Sequence, residues 1–252
     1  MVDDKPGEAG RSKVSGTRRR ARRPLWQELP LLIGIAMVIA ALTVNFVGRP
    51  YEIPSQSMEP TLHGCTGCVG DRIFVEKLSY YGSEPQPGDV VVFVGPPSWN
   101  DTYRSSRSSN SVLRGIQNFL AYVGLTPPDE NTLVKRVIAV GGQTVECCDA
   151  QGRILVDGKP LDEPYVHKDF DWAAGGRNAG FPVGRVFGPI QVPAGHLWVM
   201  GDNRNESRDS RAHVGDEFHG TVPVDNVRGR AVVKIWPPTR LGSVETVNPQ
   251  SS

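Results

Sequence analysis

The stretch "TLVKRVIAV", residues 132–140, decides the fold class. Its Val- and Ile-rich composition is typical of a strand. Five further runs of similar composition are bounded by Gly or Pro and lie at residues 71–78, 89–94, 153–158, 196–201 and 228–236. Their spacing predicts a mostly antiparallel β fold and argues against βαβ units.

Strand alternation divides residues 132–140 into one face with Leu133, Lys135, Val137 and Ala139 and a second face with Val134, Arg136, Ile138 and Val140. Lys135 is therefore flanked on its own face by aliphatic side chains only. A lysine held there loses hydration, which lowers its pKa in the direction that a general base needs. The alternative is an edge-strand lysine whose stem covers apolar surface while the amine reaches water.

A long apolar run precedes the strands. Residues 29–47 read LPLLIGIAMVIAALTVNFV, in which only Thr43 and Asn45 are clearly polar. As a helix this run spans about 28 Å, close to the thickness of a bilayer core. A helix of a soluble domain would have a polar face, and this run has none. A cleaved secretory signal would be shorter and would be followed by an A-x-A cleavage site, which this run lacks. We therefore predict one uncleaved transmembrane anchor over residues 29–48.

Charge is distributed unevenly along the chain. Eight of the 28 Lys and Arg lie in residues 1–23, and four of the 27 acids lie before residue 29, which leaves 20 basic against 23 acidic residues. The main body is thus slightly acidic, which argues against nucleic-acid binding. The basic cluster before the anchor predicts a cytoplasmic N-terminus. Residues 1–28 should be a disordered cytoplasmic arm, and everything after the anchor should lie outside the cell membrane.

The four cysteines, Cys65, Cys68, Cys147 and Cys148, would then face an oxidising compartment, where disulfides are favoured. Two adjacent cysteines chelate one metal poorly, so we expect no metal site. Pairing within "CTGC" and within "CC", or between the two segments, remains open at this stage.

The body from residue 49 to 240 carries an insertion at residues 95–131. It begins as a polar loop and continues with apolar residues at helical spacing between 112 and 123, which predicts an amphipathic helix. This helix would rest on the membrane surface or fill the core. Residues 159–192 suggest a smaller lobe or loop system, and residues 241–252 a loose tail.

Two polar segments remain. "PSQSMEPTL", residues 54–62, places Ser55 and Ser57 between prolines, and by composition alone it reads as a linker. "GDNRNESRDSR", residues 201–211, packs turn formers and alternating charges behind a predicted strand. Ordinary loops seldom carry so dense a set of polar residues.

These segments, taken together with Lys135, resemble the type I signal peptidases, membrane-anchored Ser/Lys endopeptidases. The five matching segments, in family order, are "PSQSMEPTL", "GDRIFVEKL" (70–78), "PQPGDVVVF" (85–93), "VKRVIAVGG" (134–142) and "GDNRNESRDSR". With the anchor, the resemblance covers the chain from about Leu29 to Trp236. It implies an antiparallel β-sheet protease domain with a smaller β-rich lobe, preceded by one transmembrane helix.

The resemblance implies that Ser57 is the nucleophile and Lys135 its general base. Such a pair needs no histidine or carboxylate, because a desolvated amine can accept the serine proton directly. Ser55 matches a serine whose hydroxyl completes the oxyanion hole. Ser207 matches a serine that hydrogen-bonds and orients the lysine. Further support would come from an Asp209–Arg211 ion pair and from Asp202 paired with Arg136.

The resemblance also implies the substrate. Family enzymes bind the residues before the cleavage site as an added strand, with shallow pockets for small residues such as alanine at the first and third positions. Signal peptides of exported preproteins and the lipid bilayer would be the partners, and no cofactor would be needed. By position the pockets would be lined by Tyr51, Ile53, Pro54, Leu62, Leu133 and Val134.

The sequence departs from the family pattern at Gln56, where glycine is common, and in the insertion and the cysteines. Rival enzymes fit less well. A histidine-assisted serine hydrolase would show a G-x-S-x-G elbow, a penicillin-binding enzyme an S-x-x-K motif, and a self-cleaving repressor a DNA-binding domain in place of the anchor. The non-enzymatic alternative is a membrane-tethered extracellular β-domain that binds partners.

Overall fold

A computed structural model describes residues 25–100, 103–166 and 185–251. Two α-helices and twelve strands are present in these residues. They are α1 (Leu25–Leu42), β1 (Gly48–Glu52), β2 (Arg72–Glu76), β3 (Val90–Val94), α2 (Ser111–Tyr122), β4 (Thr132–Val140), β5 (Thr144–Cys147), β6 (Ile154–Val156), β7 (Lys159–Pro160), β8 (Phe187–Gln191), β9 (His196–Met200), β10 (Val222–Pro223), β11 (Val227–Trp236) and β12 (Gly242–Ser243).

The larger sheet has eight strands in the order β1-β2-β11-β3-β4-β9-β10, with β12 also paired to β11. Every pairing in it is antiparallel. The predicted mostly antiparallel β fold is therefore confirmed, and residues 132–140 form β4 as expected. β4 lies between β3 and β9, so Lys135 is on an inner strand and the edge-strand alternative is wrong.

Both faces of this sheet carry apolar clusters around β3. Val90 and Val92 pack in one cluster, whereas Val91 and Phe93 pack in another on the opposite face. All four side chains are fully buried. A strand covered on both sides reads as a continuous apolar run, which explains why β3 shows no polar alternation.

The predicted smaller β-rich lobe is a four-stranded antiparallel sheet in the order β7-β6-β5-β8. Its side chains share a core with Ile138 of β4 and with Trp198 and Met200 of β9. This lobe draws on residues 144–160 and 187–191. The lobe was predicted over residues 159–192, and residues 167–184 of that range lie outside the described residues.

Helix α1 carries the predicted anchor. Within the described chain, one segment, Glu28–Val47, is long and apolar enough to cross a membrane, and most of its side chains are exposed. The helix begins at Leu25, so residues 25–28 are helical and do not belong to a disordered arm. Residues 1–24 of that arm lie outside the described residues. A π-helical turn, Thr43–Val47, continues α1 and leads into β1.

The C-terminal segment is packed against the body, so the expectation of a loose tail after residue 240 is wrong. β12 pairs with β11, and Val244 is buried in the same cluster as Val90 and Val92. The Gln250 amide donates to the carbonyl of Ile138 at 2.9 Å. These contacts use backbone and amide groups more than apolar side chains, and they leave no periodic pattern in the sequence.

Helix α2 forms within the insertion as predicted. The Asn110 side chain caps its N-terminus by accepting hydrogen bonds from the amides of Val112 and Leu113. The helix does not fill the core, however. Ala121 is its buried residue and Leu120 is half-buried, while Val112, Leu113, Ile116 and Phe119 are exposed.

Candidate active site

Ser57 lies in a short 3-10 turn, Gln56–Met58, that follows β1. Met58 is fully buried among Ile53, Leu62 and β-strand residues, so it fixes the turn to the core. Ser57 itself is 7% exposed. The turn therefore presents the Ser57 hydroxyl at a buried but reachable position.

Lys135 meets Ser57 from the middle of β4. Its amine donates to Ser57 Oγ at 2.8 Å and to the carbonyl oxygen of Val134 at 3.0 Å. Burial lowers the pKa of Lys135 to about 8, although the carboxylates of Asp209 and Asp202 partly oppose this effect. The amine is thus neutral in about a tenth of molecules at pH 7 and in about half at pH 8, and in that form it can accept a proton.

Ser55 lies beside the nucleophile on the more exposed side of the turn. Its hydroxyl donates to Ser57 Oγ at 3.3 Å. An exposed hydroxyl at this distance from the nucleophile lies near the place where an oxyanion would form during attack by Ser57. This position is compatible with the oxyanion role that the resemblance implies for Ser55.

The segment after β9 holds the backbone of the nucleophile turn. The backbone N–H of Asn203 donates to the Ser57 carbonyl, and its side-chain amide donates to the Gln56 carbonyl, each at 3.2 Å. A Cβ added at Gly201 would overlap both the Ser57 carbonyl oxygen and Ser207 Oγ. Gly201 and Asn203 were missed as site residues by the sequence reasoning. Both residues lie inside the polar segment 201–211, where the available signal was the glycine at its first position.

Arg136 and Asp202 form the expected ion pair behind β4. The guanidinium donates to the two carboxylate oxygens at 2.9 and 2.7 Å, and both side chains are fully buried. Arg136 also donates to the carbonyls of Gly88 and Glu245 and stacks on Tyr165. A charge-assisted pair with this many partners fixes the base strand to the 201–211 segment.

Asp209 and Arg211 form a second buried pair, with Arg211 Nε 2.9 Å from Asp209 Oδ1. Burial would raise the pKa of Asp209, but the Arg211 guanidinium and hydrogen bonds from Gly201 and Ser207 hold it below its usual value. Asp209 is thus a carboxylate at neutral pH, and its charge opposes the lowering of the Lys135 pKa.

Ser207 differs from expectation. Its hydroxyl donates to Asp209 Oδ2 at 2.7 Å, while the hydrogen bonds of the Lys135 amine among the described residues run to Ser57 and Val134. The direct Ser207–Lys135 bond implied by the resemblance is therefore absent from the described site. Asp209 competes for the hydroxyl because an ionised carboxylate is the stronger acceptor.

The six expected pocket residues do not form one surface. Four of them, Tyr51, Ile53, Leu62 and Val134, share one apolar cluster. Leu133 packs with the cluster on the opposite face of the sheet, and Pro54 is exposed. Leu62 is fully buried, which makes it a core residue and leaves no side-chain surface for substrate.

The cysteines pair within their own segments, Cys65 with Cys68 and Cys147 with Cys148. His63 approaches the first pair, with Nε2 3.6 Å from Cys68 Sγ and Nδ1 2.7 Å from Glu59 Oε1. His63, Cys65 and Cys68 thus bring three potential metal-ligand atoms within 4.8 Å of one another. The disulfide occupies both sulfurs in this arrangement.

Residues 26–236 match the family described as "Signal peptidase, peptidase S26". The chain is 51% identical to a probable signal peptidase I of Mycobacterium leprae (strain TN), over 98% of this chain and 90% of that protein. It is 53% identical to signal peptidase I of Mycobacterium tuberculosis (strain ATCC 25618 / H37Rv), over 96% and 83% of the two chains. It is also 34% identical to signal peptidase I of Leptolyngbya laminosa, over 92% and 90%.

Proposed function

Since the chain belongs to the signal peptidase family, peptidase S26, we propose that it cleaves signal peptides from exported preproteins with Ser57 as nucleophile and Lys135 as general base. Its activity is that of a signal peptidase I, a hydrolase of peptide bonds. The observation that carries the assignment of the pair is the 2.8 Å contact between Lys135 Nζ and Ser57 Oγ in a site that lowers the pKa of the amine.

In the first step the neutral Lys135 amine takes the proton of the Ser57 hydroxyl as Oγ attacks the scissile carbonyl. A bond forms between Oγ and the carbonyl carbon, and the carbonyl oxygen becomes an oxyanion. The Ser57 amide and the Ser55 hydroxyl would stabilise this oxyanion. The Lys135 ammonium then returns its proton to the leaving amine, and the C–N bond breaks to give an acyl-enzyme.

In the second step a water molecule takes the place of the leaving amine. Lys135, neutral again, accepts a proton from this water as it attacks the acyl carbon. Collapse of the second tetrahedral intermediate releases the signal peptide's new carboxylate, and the ammonium restores the proton to Ser57. The same amine therefore serves both steps, and no metal or cofactor enters the proton balance.

The remaining polar residues position this pair. Arg136 with Asp202 holds β4 against the 201–211 segment, and Asp209 with Arg211 and Ser207 holds that segment in shape. Ser207 would act on Lys135 through Asp209, since its hydroxyl contacts the carboxylate and not the amine. These roles are structural support for the geometry between Ser57 and Lys135.

Substrate preference would follow from the crowding around the turn. Tyr51, Ile53 and Val134 share an apolar cluster with Met58, the residue after Ser57, and we infer that they would form shallow pockets for small side chains, which would favour Ala-x-Ala sites. The substrate would add as a strand near residues 53–55. Pro54, which is exposed, would contact it, whereas Leu62 would support the wall from the core.

The apolar segment Glu28–Val47 supports a single-pass topology. With the basic cluster at residues 18–23 on the cytoplasmic side, the body from residue 49 to 240 would be the extracytoplasmic catalytic domain. The lipid bilayer and signal peptides are then the partners, and the slightly acidic body gives no basis for nucleic-acid binding. The anchor would keep Ser57 near the membrane, where cleavage sites emerge.

Cleavage of a preprotein with an Ala-x-Ala site tests this proposal. Ser57→Ala and Lys135→Ala should each reduce kcat/KM by at least about 10³-fold. Lys159→Ala, which removes an exposed lysine from β7, should match the unmodified chain. Near-normal activity of either site variant would refute the assigned pair. An unmodified chain without cleavage in detergent or lipid would favour the membrane-tethered binding domain.

A further inference from the structure

Helix α2 presents an apolar face away from the body. Val112, Leu113, Ile116 and Phe119 are 68%, 53%, 52% and 52% exposed, and we call these four residues the outer face of α2. The body side of the helix carries Gln117, which accepts from the Ser108 amide, and the buried Ala121. Val112, Ile116 and Phe119 recur at helical spacing and point roughly opposite to this pair.

Burial cannot explain this face within the described chain. An amphipathic helix of a soluble domain normally turns its apolar side inward and its polar side to water. In helix α2, which lies within an insertion between β3 and β4, the outer face is exposed to the same degree as the polar side with Arg114 and Asn118. Clustered, highly exposed apolar side chains of this kind mark an interaction surface.

The contacts at the C-terminal end of α2 indicate what covers the outer face. Asn45, in the last turn of the apolar span, donates to the Tyr122 carbonyl at 3.0 Å. Arg49 donates to the Ala121 carbonyl at 3.3 Å, and Gly124 lies against Val44 so closely that a Cβ there would overlap it. Residues 43–49 and α2 belong to the same compact unit. The helix is therefore fixed to the point where the span ends.

A second group of exposed apolar side chains lies beside the C-terminal end of the apolar span. Tyr81 donates its hydroxyl to the Phe46 carbonyl at 2.9 Å, and Lys77 donates to the Asn45 carbonyl at 3.1 Å. Tyr81, Phe46 and the neighbouring Leu78 are each more than half exposed. A tyrosine and a lysine beside the end of a span are typical of the interface between lipid and water.

We propose that the outer face of α2 lies in the interfacial layer of the lipid bilayer and forms a second membrane contact beside the anchor. The proposal rests on the proposed function, since that places residues 29–48 in the bilayer. A helix whose end is fixed to the last turn of a membrane span cannot be far from the headgroups. Amphipathic helices bury such a face by about 5–10 Å at the boundary between headgroups and acyl chains.

The charge of α2 makes the proposal more specific. Between Ser111 and Tyr122 the helix carries one basic residue, Arg114, and no acid. Apolar burial, more than attraction to anionic lipid, would therefore drive the contact. Such a contact would orient the catalytic body on the membrane. It would therefore speed the cleavage of preproteins embedded in lipid and leave the cleavage of soluble peptides unchanged.

Lipid contact can be measured directly on the full chain in phosphatidylcholine nanodiscs. A tryptophan placed by Phe119→Trp should be quenched when the acyl chains are brominated, relative to the parental chain. Asn118→Trp, on the polar side of the same turn, should be quenched much less. Equal quenching at both positions, or none at position 119, would overturn the proposal. Self-association of the chain through α2 without quenching would do the same and would identify a second copy as the occupant.

A functional test separates this inference from the proposed function. The double variant Ile116→Asp with Phe119→Asp should lower kcat/KM roughly tenfold for a preprotein in the same membrane. This fall corresponds to a rise of about 1.4 kcal/mol in activation free energy. Cleavage of a short soluble peptide in detergent should stay within about twofold. Ser111→Asp with Asn118→Asp adds the same charge on the polar side and should leave both rates unchanged.

The outcomes are distinguishable. Equal loss on both substrates would show that the outer face maintains the fold, and equal retention would show that it does not contact lipid, so either result contradicts the inference. Failure of the unmodified chain to cleave the soluble peptide would instead count against the proposed function.

Discussion

The guanidinium of Arg136 donates to both carboxylate oxygens of Asp202, at 2.9 and 2.7 Å, and neither side chain is exposed. Arg136 follows Lys135 directly on β4, and Asp202 follows Gly201, whose backbone touches the nucleophile turn. The pair therefore joins the strand of the base to the segment that holds the nucleophile.

Asp202→Asn should destabilise the protein, because it leaves the Arg136 charge buried without a counter-charge. Breaking such a pair typically costs about 3–5 kcal/mol. Thermal unfolding of the full chain in detergent should show a clear fall in Tm. The matched control is Glu52→Gln, which removes an exposed pair with Arg72 at 3.8 Å and should change stability by less than about 1 kcal/mol. Equal Tm values for the two variants would contradict the role of the pair.

Gly201→Ala should reduce activity by displacing the nucleophile turn. The added Cβ would overlap the Ser57 carbonyl and Ser207 Oγ, so that the backbone of Ser57 must shift. A shift of about 1 Å can cost about 10²-fold in rate. Gly115→Ala provides the control, because that glycine lies in α2 with open space around it and alanine favours a helix. Peptide cleavage by both variants measures the difference, and full activity of Gly201→Ala would show that the turn tolerates the displacement.

Lys135→Met should abolish cleavage and yet stabilise the fold near neutral pH. Burial lowers the pKa of Lys135 from 10.5 to about 8, so below pH 8 the folded chain must bury a charge that the unfolded chain exposes to water. The difference corresponds to about 3 kcal/mol. Between about pH 8 and 10.5 the unfolded chain keeps a proton that the folded chain has released, and the stability of the unmodified protein rises with pH.

The stabilisation by Lys135→Met should thus be largest below pH 8 and vanish towards pH 10.5. Unfolding of both chains in the same detergent at pH 7 and at pH 10 measures this. A stability difference independent of pH would mean that the Lys135 amine is well solvated in the folded protein.

Much of this architecture could be predicted from local pattern. The run at residues 132–140 forms β4 with the predicted bounds, because strand composition and flanking turns agree there. Helix α2 was predicted from the helical spacing of its apolar residues, and the apolar segment of α1 from the length of its unbroken apolar run. The Arg136–Asp202 pair could be anticipated because alternation places Arg136 opposite Lys135.

Other features could not be predicted because they depend on tertiary contacts. Strand alternation already places Leu133 and Val134 on opposite faces, but only the packed sheet shows that an apolar cluster covers each of those faces. The hydroxyl of Ser207 bonds Asp209, a choice between two acceptors that only the packed site decides. The C-terminal segment packs through the β12–β11 pairing, one buried valine, Val244, and the side-chain amide of Gln250, a set of contacts without a periodic pattern.

The most direct test of the Ser57–Lys135 mechanism is the pH dependence of kcat/KM for a soluble Ala-x-Ala peptide, measured with the full chain in detergent between pH 5 and 10.5. This ratio reports the titration of essential groups in the free enzyme. We predict that it rises with pH through a single midpoint at about 8, as the Lys135 amine loses its proton. A midpoint above about 10, or a profile without any rise, would contradict a buried neutral lysine as the base.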